Sequence, residues 1–219
     1  MRRGPEFRGH LPFPSGGAFS VFLLRFSNAP TMNILLHLCC GPCGTFPVKS
    51  LLEAGHRVTG FFYNPNIHPY TEFTRRLEAV KKFAGQVALK VIYHDEYDLR
   101  GFLREVLFRE DVRCRFCYRM RLLRTAAVAK SGSFDAFTST LFVSPHQDHE
   151  MMKTVAENVA EEVGVPFHYE DFREGYRESY DLSKKYDLYR QPYCGCIFSE
   201  YERYAGKKTR QRKPAPGGS

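Results

Sequence analysis

Seven cysteines carry the chemistry legible in this chain, and they fall into three clusters: Cys39-Cys40-x-x-Cys43, Cys114-x-x-Cys117 and Cys194-x-Cys196. The thiolate is both the nucleophilic form of cysteine and a soft metal ligand. An odd number of thiols cannot pair completely into disulfides. Clustering beside Gly, Pro and Arg also sets these residues apart from the scattered buried thiols of a hydrophobic core. C-x-x-C at a helix start resembles a redox dithiol as well. Metal binding accounts for all three clusters at once. Structural zinc takes four thiolates or histidines, and a [4Fe–4S] cluster takes about four thiolates. Seven thiols exceed one such site. Soft ligands suit zinc and iron–sulfur equally, so the donor set alone leaves the metal open.

The clusters need elements to bring them together. The apolar run Ile34–Leu38 reads as a strand buried on both faces, entering the loop Cys39-Cys40-Gly41-Pro42-Cys43. A helix follows from Gly44 to Ala54, and its N-terminus favours thiolates nearby. Val58–Tyr63 reads as the second strand, with a helix from about His68 to Gly85 and Pro69 in its first turn. Ala88–Tyr93 is the third strand. Asp98 caps a short helix through Phe108. Cys114 and Cys117 share one face of a helix running to about Lys130, since i and i+3 are neighbours there. Phe134–Thr138 is a fourth strand. Ser144-Pro145-His146-Gln147-Asp148 opens a helix to Gly164, and Pro166–Tyr169 is a short fifth strand. Tyr176–Tyr189 is partly helical, and a last helix runs from Ile197 to Tyr204 after the turn at Cys194-Gly195-Cys196. Alternating strands and helices predict an α/β fold: a parallel sheet with helices on both faces. Ligands of such sheets sit at the carboxyl ends of the strands, where the first thiol loop lies.

The 219 residues suffice for one such domain with a sizeable core. We expect a loose extension over residues 1–31, an α/β metal-binding catalytic domain over 32–206 and a basic disordered tail over 207–219. The net charge of +8 resides in the ends. Residues 1–31 carry Arg2, Arg3, Arg8 and Arg25 against Glu6, and the tail carries Lys207, Lys208, Arg210, Arg212 and Lys213, leaving the body neutral. Solvated basic ends explain that pattern without any partner. Within the body, Arg100 to Lys130 is locally basic, which suits an anionic substrate beside the thiols. No apolar run approaches the roughly 20 residues of a membrane span, and free thiols point to the cytoplasm.

Three segments taken together resemble one family: His37-Leu38-Cys39-Cys40-Gly41-Pro42-Cys43, Arg113-Cys114-Arg115-Phe116-Cys117-Tyr118-Arg119-Met120-Arg121-Leu122 and Gln191-Pro192-Tyr193-Cys194-Gly195-Cys196. They are similar to the QueH-type epoxyqueuosine reductases, over about Met32 to Tyr204. The resemblance implies an adenine-nucleotide hydrolase-like, PP-loop-related α/β domain. It implies reduction of epoxyqueuosine to queuosine at the tRNA wobble position, with a [4Fe–4S] cluster and a second metal, iron, beside it. We assign Cys40, Cys43, Cys114 and Cys117 to the cluster, and Cys39, Cys194 and Cys196 to the second metal, one of several partitions that the spacing permits. No nicotinamide or flavin fingerprint is present, so the electrons come through metal from an unidentified donor.

Other residues divide between functional and structural roles. Asp148, with His146, is a candidate proton donor, although Ser-Pro-x-x-Asp is also a plain helix start. Arg113, Arg115, Arg119 and Arg121 are candidate phosphate contacts or a solvated helix face. Tyr118, Tyr180, Tyr186, Tyr189 and Tyr193 are candidate stacking partners for anticodon bases, of which one or two suffice and the rest are packing residues. His37 reads as a core histidine. Two competing classes remain: a PP-loop-like tRNA thiolase, which requires a Ser-Gly-Gly phosphate loop where Cys39–Gly44 stands, and a zinc-stabilised RNA-binding module.

Overall fold

The structure is a computed structural model, and it describes residues 30–210. The four strands are β1 (Asn33–His37), β2 (Arg57–Tyr63), β3 (Val91–His94) and β4 (Ala136–Ser139). They form one parallel sheet in the order β3-β2-β1-β4. β1 is central and fully buried beyond Asn33, as its continuous apolar run requires. The helices are α1 (Gly41–Glu53), α2 (Tyr70–Gln86), α3 (Leu99–Val106), α4 (Arg113–Ser131), α5 (His149–Val163), α6 (Tyr176–Lys185) and α7 (Ile197–Arg210). The chain steps from β1 outward to β2 and β3, then returns across the sheet to β4. Right-handed crossovers therefore place α1 and α2 on one face and α4 on the other. α1 packs on α2 and α6, and α4 packs on α5. The reversal of strand order falls between β1 and β4, so the carboxyl ends of these two strands form the switch point where α/β sheets bind ligands.

Several boundaries differ from the sequence reading for local reasons. α1 begins at Gly41, not Gly44, because Cys40 is its N-cap and its sulfur accepts from the backbone N–H of Cys43. Pro42 suits that first turn, where no N–H is needed. β3 starts at Val91 because Ala88 takes a positive φ of 53° and the Leu89 N–H bonds back to Ala84 O, closing α2. Ser133 does the same after α4, with a φ of 54° and Phe134 N–H on Ala129 O, so β4 starts at Ala136. The fifth strand does not form. Phe167 makes only an isolated parallel bridge to Phe137. Pro166 has no N–H to extend the ladder, and Glu170 turns away to accept from Ser50 Oγ. α7 continues to Arg210, beyond the expected Tyr204 and into the stretch read as tail. Residues 1–29 and 211–219, which hold most of the expected extension and tail, lie outside the described residues.

Gly41 sits where α1 meets Ala79 of α2. A Cβ there would lie 2.6 Å from the Ala79 carbonyl oxygen, a backbone atom that cannot yield. Gly85, inside α2, has nothing within 4 Å of its own absent Cβ. Denaturant unfolding should therefore move in opposite directions. G41A should lose about 1–3 kcal/mol through overpacking, and G85A should gain about 0.5–1 kcal/mol from helix propensity.

Candidate metal centre

The switch point carries the thiols. β1 delivers Cys39 and Cys40 to the start of α1, and β4 delivers Ser139 and Thr140 beside them. The Cys39 backbone N–H donates to Thr140 Oγ1 at 3.1 Å, and the Thr140 hydroxyl lies 3.3 Å from Cys39 Sγ. His37 is buried, with Nδ1 2.9 Å from Ser139 Oγ and Nε2 3.1 Å from Tyr63 O. Burial lowers its pKa to about 4, so it is a neutral core histidine, as expected. The sulfurs of Cys39, Cys40 and Cys43 lie within 4.8 Å of one another. Hydrogen bonding from Cys40 lowers the Cys39 thiol well below its ordinary range. Burial raises Cys40, and the bond to Cys39 raises Cys43. Without a metal the trio concentrates its negative charge on Cys39.

The other two clusters face the same cavity, of about 790 Å³, whose wall includes Cys39, Cys43, Cys114, Cys194 and Cys196. Cys117 packs with Cys196 in a small apolar cluster with Phe102 and Val106. Burial pushes the Cys117 thiol up to about 12, and burial raises Cys114 too. All seven cysteines are free thiols. Three distant segments thus deliver every cysteine to one place.

The surroundings fit a thiolate-bound metal group. A thiolate ligand needs hydrogen-bond donors aimed at sulfur, and six of the seven sulfurs have one. Thr140 faces Cys39, and Gln191 Nε2 donates to Cys40 at 3.1 Å and to Cys43 at 3.4 Å. Arg121 Nη2 donates to Cys117 at 3.0 Å, and Gln147 Nε2 donates to Cys194 at 3.3 Å. The Ser199 backbone N–H donates to Cys196 at 3.4 Å. Gln191 opens the third cysteine segment and Thr140 follows the fourth strand, but neither was read as a donor to sulfur, and Gln147 and Ser199 were not assigned a role from the sequence. Only their closeness to the clusters, in two cases within the Gln191–Ser199 stretch, hinted at a role.

The C-x-C turn is held from beneath by a buried network. Arg76 and Glu72 on α2 form an ion pair of 2.7 Å, with both side chains nearly inaccessible. Arg76 Nη1 and Nη2 donate to Cys194 O at 2.8 Å and Tyr193 O at 2.9 Å. Tyr189 Oη donates to the free oxygen of Glu72. The His68 backbone N–H donates to Gly195 O at 2.8 Å, and Tyr193 Oη donates to His68 O at 2.6 Å. The i, i+4 spacing of Glu72 and Arg76 was the available signal, and it reads equally as a surface pair.

His68 itself is buried, with Nδ1 3.0 Å from Tyr97 Oη and Nε2 without a partner. Burial lowers its pKa from 6.5 to about 4. The unfolded chain then binds more protons than the folded one between those values, so folding stability falls as pH drops through that window. Unfolding at pH 5 should show about 2 kcal/mol less stability from this residue than at pH 7. H68Q should remove about half of the pH dependence measured over that window, since buried His37, also lowered to about 4, contributes the rest.

The remaining candidates separate. Tyr118, Asp148 and Tyr193 line the cavity with Arg113. Tyr118 Oη donates to Gln147 Oε1 at 2.8 Å and accepts from the Asp148 N–H at 3.3 Å. Burial raises the Tyr118 phenol, keeping it protonated. Asp148 caps α5, with its carboxylate accepting from Met151 N–H at 3.0 Å. Arg113 pairs with Glu202 at the rim. Arg115 is exposed. Arg119 is engaged by both oxygens of Glu162 on α5 and does not line the cavity. Arg121, read as a phosphate contact or solvated residue, is instead buried against Cys117. Its position four residues after Cys117 puts it on the thiol face of α4.

A parallel α/β sheet with a pocket of donor-supported thiols at its switch point is an α/β fold whose site is consistent with metal binding. A family model described as epoxyqueuosine reductase QueH matches residues 34–202. Three relatives carry the same description. A protein of Dehalococcoides mccartyi is 43% identical over 172 residues, covering 78% of this chain and 94% of the relative. One of Thermotoga maritima is 36% identical over 180 residues, covering 78% and 92%. One of Streptococcus pyogenes is 33% identical over 179 residues, covering 76% and 70%. The chain therefore belongs to the QueH family of epoxyqueuosine reductases, and it is an oxidoreductase.

Proposed function

We propose that this chain reduces epoxyqueuosine to queuosine at the wobble position of tRNA, using a [4Fe–4S] cluster and an adjacent iron held by all seven cysteines. The convergence of three thiol clusters in one cavity, with donors on six sulfurs, carries this reading. The closeness of Cys39 to Cys40 and Cys43 favours that trio as one ligand group. Cys114, Cys117, Cys194 and Cys196 then form the other, in place of a division that separates Cys39 from its neighbours. Removing the epoxide oxygen as water consumes two electrons and two protons. When bound, the metal group supplies the electrons, drawn from an external donor, and a Lewis-acid position for the oxygen.

The chain's own residues bind, orient and protonate. The thiols and their donors fix the ligand set. Tyr118, held protonated, and Asp148 are the proton-bearing groups on the cavity wall. Exposed Arg115, and Arg113 where it is not held by Glu202, are the basic groups on α4 open to tRNA phosphates, and Tyr193 lies beside the C-x-C turn as a surface for the nucleobase. Arg119, already paired with Glu162, contributes less. A PP-loop-related ancestry fits the strand order, with the phosphate loop replaced. Pro42 lacks an amide, and the Cys43 amide is spent on Cys40, which disfavours the thiolase alternative. No described helix is long and apolar enough to cross a membrane, and seven free thiols support a cytoplasmic setting.

The test is anaerobic purification, iron and sulfide analysis, and EPR, followed by turnover of epoxyqueuosine-containing tRNA with a low-potential chemical reductant. Loss of one oxygen from the nucleoside, without ATP consumption, is expected. Full turnover with zinc alone would overturn the reading.

A further inference from the structure

We infer that Arg121 is the fixed countercharge of the thiol pocket, and that it sets the reduction potential of the iron–sulfur group bound there. The inference rests on the iron–sulfur reading above. Two arginines are buried to 2% exposure beside the cysteines, Arg76 and Arg121. Arg76 has a carboxylate partner in Glu72. Arg121 has none among the described residues. Its Nε donates to Cys117 O at 3.0 Å and its Nη2 to Cys117 Sγ at 3.0 Å. Its guanidinium carbon lies 5.9 Å from the centre of the Tyr118 ring.

A guanidinium does not shed its proton in a protein. An isolated cation taken out of water is costly unless an anion comes with it. The polar atoms that its guanidinium meets are the Cys117 carbonyl oxygen and the Cys117 sulfur, and no carboxylate pairs with it among the described residues. The compensating negative charge must therefore reside on sulfur. The fork on Cys117 O and Sγ pins the cation to the wall of the same cavity that holds Cys39, Cys114, Cys194 and Cys196. A bound cluster with more thiolate charge than metal charge is anionic, and more so after it takes up an electron. A cation locked in low dielectric beside it stabilises the reduced form. Arg121 is thus a positioning and tuning residue and not a phosphate contact.

The experiment compares wild type, R121K, R121Q and R121M, prepared anaerobically. Circular dichroism, iron and sulfide per chain, and an EPR-monitored redox titration are measured on each. In R121M and R121Q the ratio of reduced to oxidised cluster at a given potential should fall at least tenfold, a midpoint lower by about 59 mV or more for one electron. R121K, which keeps the charge, should stay within about threefold of wild type. Neutral variants that fold but lose iron while R121K retains it also support the inference. If they do not fold, the R121K titration decides, and a tenfold shift there overturns it. Loaded R121M or R121Q titrating like wild type overturns the inference alone. Wild type without iron overturns the iron–sulfur reading and this inference with it.

Discussion

Serine in place of Cys40 is expected to strip iron from the protein and cut turnover of epoxyqueuosine-containing tRNA by more than about 100-fold, while leaving the fold in place. Cys40 is fully buried and central to the trio. Its sulfur accepts from Cys43 N–H at 3.4 Å and from Gln191 Nε2 at 3.1 Å. It is also the N-cap of α1, a position that serine fills well. C40S therefore keeps the cap and removes the soft donor. Unfolding stability of the metal-free protein should shift by less than about 1 kcal/mol. Outer-shell changes around metals typically cost 10–100-fold, and loss of a ligand should exceed that. Gln191→Leu supplies the comparison, since it keeps every thiol and removes the donor to Cys40 and Cys43. It should fall within the 10–100-fold range. Full iron and full turnover in C40S would remove Cys40 from the ligand set.

The parts of this molecule legible in its sequence are those where one residue type has one dominant use. Clustered Cys39, Cys40 and Cys43 after an aliphatic strand read as a thiol loop at the carboxyl end of a parallel sheet, and the structure gathers the three sulfurs at that end of central β1. Asp98 and Asp148 were readable as caps because a carboxylate before an apolar period answers unpaired amides, and both do so. Strand starts were not readable at Ala88 and Ser133. There ordinary residues take positive φ to close a helix, a role usually marked by glycine. Pro166–Tyr169 has strand composition, but pairing depends on what lies alongside, and only Phe137 meets it.

Arginine was the least legible type. Arg113, Arg115, Arg119 and Arg121 share one helix and one composition, so a single role for all four was the natural expectation. The helix turns each through about 100° per residue, and they meet different surroundings. Arg119 meets Glu162, Arg113 meets Glu202, Arg115 meets solvent and Arg121 meets sulfur. Which surroundings a helix position meets depends on α5, α7 and the C-x-C turn. These come from elsewhere in the chain, and periodicity within α4 records only the i, i+4 relation of Arg121 to Cys117.

The same logic makes Arg76 the residue whose loss should do the most damage to the fold. R76M leaves the Glu72 carboxylate buried, with Tyr189 as its remaining donor. It also deprives Tyr193 O and Cys194 O of their donors. Breaking one side of a buried ion pair costs about 3–5 kcal/mol, because the other charge stays behind. The double variant E72Q/R76M removes that stranded charge, so it should be more stable than R76M alone, an interaction energy visible in a denaturant-based double-mutant cycle. Iron content should respond differently. The turn carrying Cys194 and Cys196 loses its anchor in both variants, so both should bind substoichiometric iron although only the single variant is severely destabilised. Recovery of stability without recovery of iron would separate the two roles of Arg76, neutralising Glu72 and presenting the C-x-C thiols. Full iron in the double variant would show that the remaining contacts, His68 N–H to Gly195 O and Tyr193 Oη to His68 O, suffice to hold the turn.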